Sequence, residues 1–200
     1  LITSSSKVTA STSNLTISDT PSTAQLYALD DSTTGSITSG SGGGGSGGGS
    51  GNNNTITGTA AEVIETLESK SSDYSGTITV TDANGTSITA TNLSAIGAAT
   101  TGTVTVTNAV NIIGDHDEVT AALVTASTKV VVSGATVTIN DANATAITAT
   151  ELSAIGAATT GTVTVTNAVT ISGTTSELID ALITSSSKVT ASTSNLTISD

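Results

Sequence analysis

Apolar residues in this chain come in short alternating runs rather than long stripes. Between 161 and 173, Val163, Val165, Val169 and Ile171 alternate with Thr164, Thr166 and Thr170. That period of two predicts strands with one face buried and the other wet. Thr and Val are both β-branched, so either face suits extended backbone. Apolar clusters with helical spacing follow the strands, as in Leu178, Ile179 and Leu182. Each cluster opens on a capping box: Thr59/Glu62, Asp115/Glu118, Thr148/Glu151 and Thr174/Glu177, with Ser22/Gln25 at the matching N-terminal point. The first residue accepts the N3 amide and the Glu or Gln reaches back, which gives most glutamates a structural task. Gly156 is expected to end the shorter helix near Ile155.

These runs recur as a 59-residue unit. Residues 88–110 and 147–169 differ only at Asn92 against Glu151. All four lysines (Lys7, Lys70, Lys129, Lys188) hold one repeat position, and each is followed twelve residues later by Asp19, Asp82, Asp141 or Asp200. Residues 1–19 and 182–200 are the same string, LITSSSKVTASTSNLTISD, at an offset of 181. Each unit reads as two coils, 161–187 and 129–160 in the best-defined case, both ordered strand, turn, strand, loop, helix. A coil of this length cannot bury its apolar face alone but can when stacked on copies of itself. The fold expected is a β-solenoid with short helices, built of parallel strand–strand–helix coils of about 30 residues, two per repeat. The alternative is a string of small β-rich domains, against which counts the marginal size of a 59-residue unit.

The expected organisation is a partial repeat at 1–38, a Gly/Ser/Asn-rich flexible insert at 39–54, repeats at 55–110 and 111–169, and a partial repeat at 170–200. The insert carries SGSGGGGSGGGSG at 39–51 and is about eleven residues longer than the connection it replaces, by comparison with the other repeats.

Composition narrows the function classes. Of 200 residues, 44 are Thr and 30 Ser, and there is no Cys, Met, Trp, Phe or Arg. A net charge of −12 with four scattered lysines offers no phosphate-binding stripe for nucleic acid. The absence of Cys removes disulfides, thiolate nucleophiles and cysteine-ligated zinc. No apolar run reaches the roughly 18 residues of a bilayer span. A core must come from small aliphatics, which favours many thin layers.

Four residues carry the only candidate metal chemistry. Asp82 and Asn84 in TDANG, and Asp141 and Asn143 in NDANA, offer turn oxygens that could coordinate Ca²⁺. The same residues equally form Asx turns at strand ends. ISDT at 17–20 and Asp200 belong to the same class. Calcium is thus the one candidate cofactor, and no other is implied. His116 lies in Asp115-His116-Asp117-Glu118, where Ala60 and Thr175 stand in other units, and reads as an exposed helix-start residue. No Ser/His/Asp triad or G-x-S-x-G elbow is present, so no catalytic residue is assigned and the chain reads as a non-enzyme. Asn-x-Ser/Thr sequons at Asn14, Asn53, Asn84, Asn92, Asn143 and Asn195 follow from the Thr content. The Thr-x-Thr runs at 103–107 and 162–166 would present hydroxyls on a flat solenoid face, as ice-binding β-solenoids do.

The strings TGTVTVTNAVTISGTTSELIDAL and TATELSAIGAATTG resemble giant Thr-rich, acidic tandem-repeat proteins of bacterial cell surfaces. The resemblance is closest to those of marine unicellular cyanobacteria, including large surface proteins linked to swimming without flagella. It covers nearly all of the chain except 39–51. It implies export, surface attachment and a structural or adhesive role, and transfers no site residue. The function expected is a structural segment of an extracellular surface filament or stalk, associating end to end with itself and meeting cell-surface glycans. The alternatives are a calcium-rigidified adhesin extender and an ice-binding Thr array.

Overall fold

The alternating Thr/Val runs form strands, as their period requires. A computed structural model of the chain describes residues 15–17, 37–39, 55–69, 74–125, 127, 129–184 and 188–200. Residues 15–17 and 37–39 are described as backbone. The insert from 40 to 54, the Ser22/Gln25 cap, Lys7, Lys70 and Asp19 lie outside the described residues.

In chain order the first elements are β1 (Leu15–Ile17), β2 (Ile37–Ser39), β3 (Thr55–Gly58), α1 (Ala60–Glu68) and β4 (Thr77–Val80). Next come β5 (Ser87–Thr89), α2 (Ala90–Ala98), β6 (Val104–Val106), β7 (Asn111–Gly114), α3 (His116–Leu123) and β8 (Val130–Val132). The same series then recurs one repeat on as β9 (Thr136–Ile139), β10 (Ala146–Thr148), α4 (Ala149–Ala157), β11 (Val163–Val165), β12 (Thr170–Gly173), α5 (Thr175–Leu182) and β13 (Val189–Thr190). The last strand, β14 (Asn195–Ile198), is the equivalent of β9 in the following repeat.

Parallel strands in three sheets of three or more strands alternate with these short helices. The sheets run β3-β4-β6-β8, β5-β7-β9-β11-β13 and β10-β12-β14, and β1 pairs with β2. Paired residues lie 22 to 26 positions apart, as in Ile56↔Ile78 and Val137↔Val163↔Val189. The ladders cross from one 59-residue unit into the next, since β7 pairs with β9 and β12 with β14.

This corrects the expected division of each unit into two strand–strand–helix coils. Each unit holds five strands, and residues 129–160 carry three of them. The extra strand, Ala146–Thr148, runs straight into α4 where a loop was expected. Beyond β3, pairing links strands two apart in the chain, and five is odd. Equivalent strands therefore fall in different sheets: β4 lies beside β3 and β6, while its counterpart β9 lies beside β7 and β11.

The inward positions of successive strands stack on one another. Val163 and Val165 are 0 % and 3 % exposed, in ladder contact with Val137 and Ile139. Leu93, Ile96, Leu152 and Ile155 fill the helix side of the same core. Because each layer adds thin aliphatics only, burial comes from stacking and not from any one large side chain. Gly156, expected to stop its helix, is buried inside α4, which closes when the Ala158 N–H reaches the Ala154 and Ile155 carbonyls. On α5, Leu178 is buried but Ile179 is 44 % exposed, so the expected stripe is only half covered.

Candidate functional site

The groups that meet in three dimensions do so at helix N-termini. A helix leaves its first amides without intrahelical partners. Here the N-cap oxygen of Thr59, Asp115, Thr148 or Thr174 accepts the N3 amide, and the N3 glutamate accepts the N-cap amide, as the capping boxes predict. In α1, α3 and α5 the next orphan, the N1 amide, is taken by an aspartate from the following turn of chain. Asp82 Oδ2 accepts the Ala60 N–H at 2.7 Å, Asp141 Oδ2 the His116 N–H at 2.8 Å, and Asp200 Oδ1 the Thr175 N–H at 3.0 Å. The once-per-unit aspartate is thus a clamp between turns, set where a carboxylate also complements the helix dipole.

The side chain at N1 joins this clamp. Thr175 Oγ1 donates to Asp200 Oδ1 at 3.0 Å, and His116 Nδ1 lies 2.6 Å from Asp141 Oδ1. His116 is therefore not the exposed residue expected from its sequence context: its side chain is 12 % exposed and Asp141 is buried beside it. Burial opposes protonation of the imidazole. The hydrogen bond to Asp141 and the charges of Asp141, Asp117 and Glu151 outweigh it and hold His116 above its ordinary value. The Thr148 backbone and hydroxyl bonds lower Glu151, and those of Thr175 lower Asp200.

The four calcium candidates sit in two equivalent loops, and each has an identified contact. Asn84 Oδ1 accepts the Ala109 N–H at 2.9 Å and Asn143 Oδ1 the Ala168 N–H at 3.1 Å. Asn108 Nδ2 donates to the Asp82 carbonyl at 2.7 Å, and Asn167 Nδ2 to the Asp141 carbonyl at 2.6 Å. Asp82 and Asp141 serve the clamps. Among the described residues, no group of three or more Asp, Glu or His side chains converges as a metal cluster would. The chemistry these oxygens perform is acceptance of N–H groups across turns.

The Thr rows are in register but short. Thr57, Thr79 and Thr105 are successive ladder partners, and the row then meets Val131. Thr138, Thr164 and Thr190 form a second row, flanked by Ile113. Thr107 and Thr166 turn their hydroxyls back onto the Val80 and Ile139 carbonyls.

Sequence reasoning missed two further pairs. Thr100 and Thr159 are buried, donate to the Gly76 and Ala135 carbonyls and accept the Gly102 and Gly161 amides. The chain passes so close there that a Cβ on Gly161 would stand 2.2 Å from the Ala135 oxygen, so only glycine fits. Lys129 and Lys188 open the edge strands β8 and β13 with φ of 52° and 53° and donate through Nζ to the Thr101 and Thr160 carbonyls. Lysine at an edge also discourages unwanted pairing. The once-per-repeat recurrence of each pair was the available signal. No helix among the described residues is long and apolar enough to cross a membrane. Neither protein-family models, curated proteins nor solved structures yield a match to this chain.

Proposed function

We propose that the chain is a stretch of β-solenoid that serves as a structural segment of a cell-surface filament or stalk. The observation that carries this reading is the uninterrupted parallel register from Ile88 through Ile112, Val137 and Val163 to Val189, which passes from one repeat into the next. A ladder of that kind lengthens by adding turns and has no intrinsic stop. The polar side chains that a binding or catalytic reading would use are spent between turns, as the Asp82, Asp141 and Asp200 clamps illustrate. Placement at the cell surface is supported by the acidic, cysteine-free, Thr-rich composition and by the resemblance of its strings to bacterial surface repeats.

Negative-stain electron microscopy of the purified chain tests this. Five strands per unit, two per turn, make about seven and a half turns over the 181-residue super-period, or about 36 Å at the usual strand spacing. Thin filaments with that axial repeat are expected. Single compact particles at all concentrations would contradict the filament.

A further inference from the structure

The apolar face at the β14 end is unlike the rest of the surface. Leu196 and Ile198 are 55 % and 61 % exposed, beside Ile179 at 44 % and Ile183 at 75 %. Together with Leu178, Leu182 and Thr175 they line one open groove. The equivalent positions one repeat earlier, Val137 and Ile139, are 1 % and 0 % exposed, because β11 lies along β9 and the core closes over them. Strands of this class have two partners inside the array: β4 lies between β3 and β6, and β9 between β7 and β11. Among the described residues β14 has only β12.

The chain itself contains the missing half. Residues 182–200 repeat 1–19, so Leu196-Thr197-Ile198 in β14 is the same sequence as Leu15-Thr16-Ile17 in β1. That identical strand is paired in parallel with β2, in the register Leu15↔Ile37, Thr16↔Thr38, Ile17↔Ser39. This is the relation that β4 has to β6 and β9 to β11. Among the described residues β1 has the β2 side of the pairing, and β14 has the β12 side.

We infer that the β14 edge and its apolar groove dock a second copy of this chain, whose β2 pairs with β14 in place of β1. The inference rests on the end-to-end reading above and names its interface. The resulting ladder, β12–β14–β2 of the second copy, repeats the internal register with Leu196 opposite the second copy's Ile37. Exchange of one strand for an identical one needs no new complementarity. β14 has the further advantage of being held already by four ladder pairs to β12, so less ordering is required on docking. The contact is heterologous, leaving each chain with one donor and one acceptor end, and such contacts propagate.

The absence of cysteine makes the test clean. Thr38→Cys and Thr197→Cys chains are mixed and treated with a short bismaleimide, and the mixed 38–197 dimer is expected to dominate. A mixed dimer no more abundant than the two like dimers would overturn the pairing. In sedimentation velocity, the Leu196→Lys/Ile198→Lys chain should need at least about tenfold higher concentration for half-association, with an unchanged circular dichroism spectrum. The Leu15→Lys/Ile17→Lys chain weakens the competing strand and should associate at lower concentration than wild type. Equal association of all three chains overturns the proposal. Filaments that persist unaltered in the Leu196→Lys/Ile198→Lys chain would discard this interface while leaving the filament reading intact. Mixed cross-linked oligomers without filaments would support the interface and discard the filament.

Discussion

Asp141 grips His116 twice across 25 residues of sequence, through the backbone amide at 2.8 Å and the imidazole at 2.6 Å. One carboxylate thus ties the start of α3 to the next turn of chain. Replacing Asp141 with Ala leaves a helix amide and a half-buried imidazole without their acceptor, at a cost of about 1–3 kcal/mol. At roughly 2–4 °C per kcal/mol for a chain of this size, calorimetry should show a clear fall in Tm. Asp82→Ala removes only the Ala60 amide bond and should lower Tm less. Equal or negligible losses in the two variants would deny the clamp.

The same pair sets a pH dependence. His116 is held above its ordinary value of 6.5, so protonation favours the folded state. That contribution is complete below pH 6.5 and is lost as pH rises through the higher folded value. Tm should therefore decline above pH 6.5, and His116→Thr, which installs the residue found at 175, should flatten that decline. Glu151 and Asp200 are lowered and act in the opposite sense, so their contributions vanish in acid as pH falls through their folded values. Parallel Tm profiles of wild type and His116→Thr above that point would refute the assignment.

Asn92 and Glu151 are the single difference between two otherwise identical stretches, 88–110 and 147–169. Thr148 and Glu151 complete a reciprocal capping box, whereas at α2 Thr89 accepts the Asn92 amide at 3.2 Å. Asn92→Glu should complete the second box and stabilise the chain by about 0.5–1 kcal/mol. Urea unfolding should move its midpoint upward with the slope unchanged.

Much of the architecture was legible because its cause is local and periodic. The Val163/Thr164/Val165 alternation gave the strand, and Thr174/Glu177 gave the helix start, each from chemistry within a few residues. What was not legible depends on pairing. Whether Ile147 and its neighbours form a strand before α4 is decided by Ile171 lying opposite, in the next turn of chain. Likewise, Asp141 looks the same as a turn residue, a calcium ligand or a clamp until His116 is placed beside it. The odd number of strands per unit, and hence the change of sheet between β4 and β9, follows from that one overlooked strand.

Calcium provides a further check on the two Asp/Asn loops. Asp82, Asp141, Asn84 and Asn143 already accept N–H groups from neighbouring turns. Tm is therefore expected to shift by less than about 1 °C between millimolar Ca²⁺ and excess chelator. A steep rise with Ca²⁺ would mean that the loops rearrange to bind it.

The stacking of one repeat on the next is tested most directly by nuclear Overhauser contacts between strands, with amide exchange measured on the same sample. Contacts linking Ile112 to Val137, Val137 to Val163 and Val163 to Val189 are expected, with slow exchange at the Val137 and Val163 amides, which donate to the Thr162 and Lys188 carbonyls. Contacts confined within each repeat unit, or rapid exchange at those two valines, would contradict it.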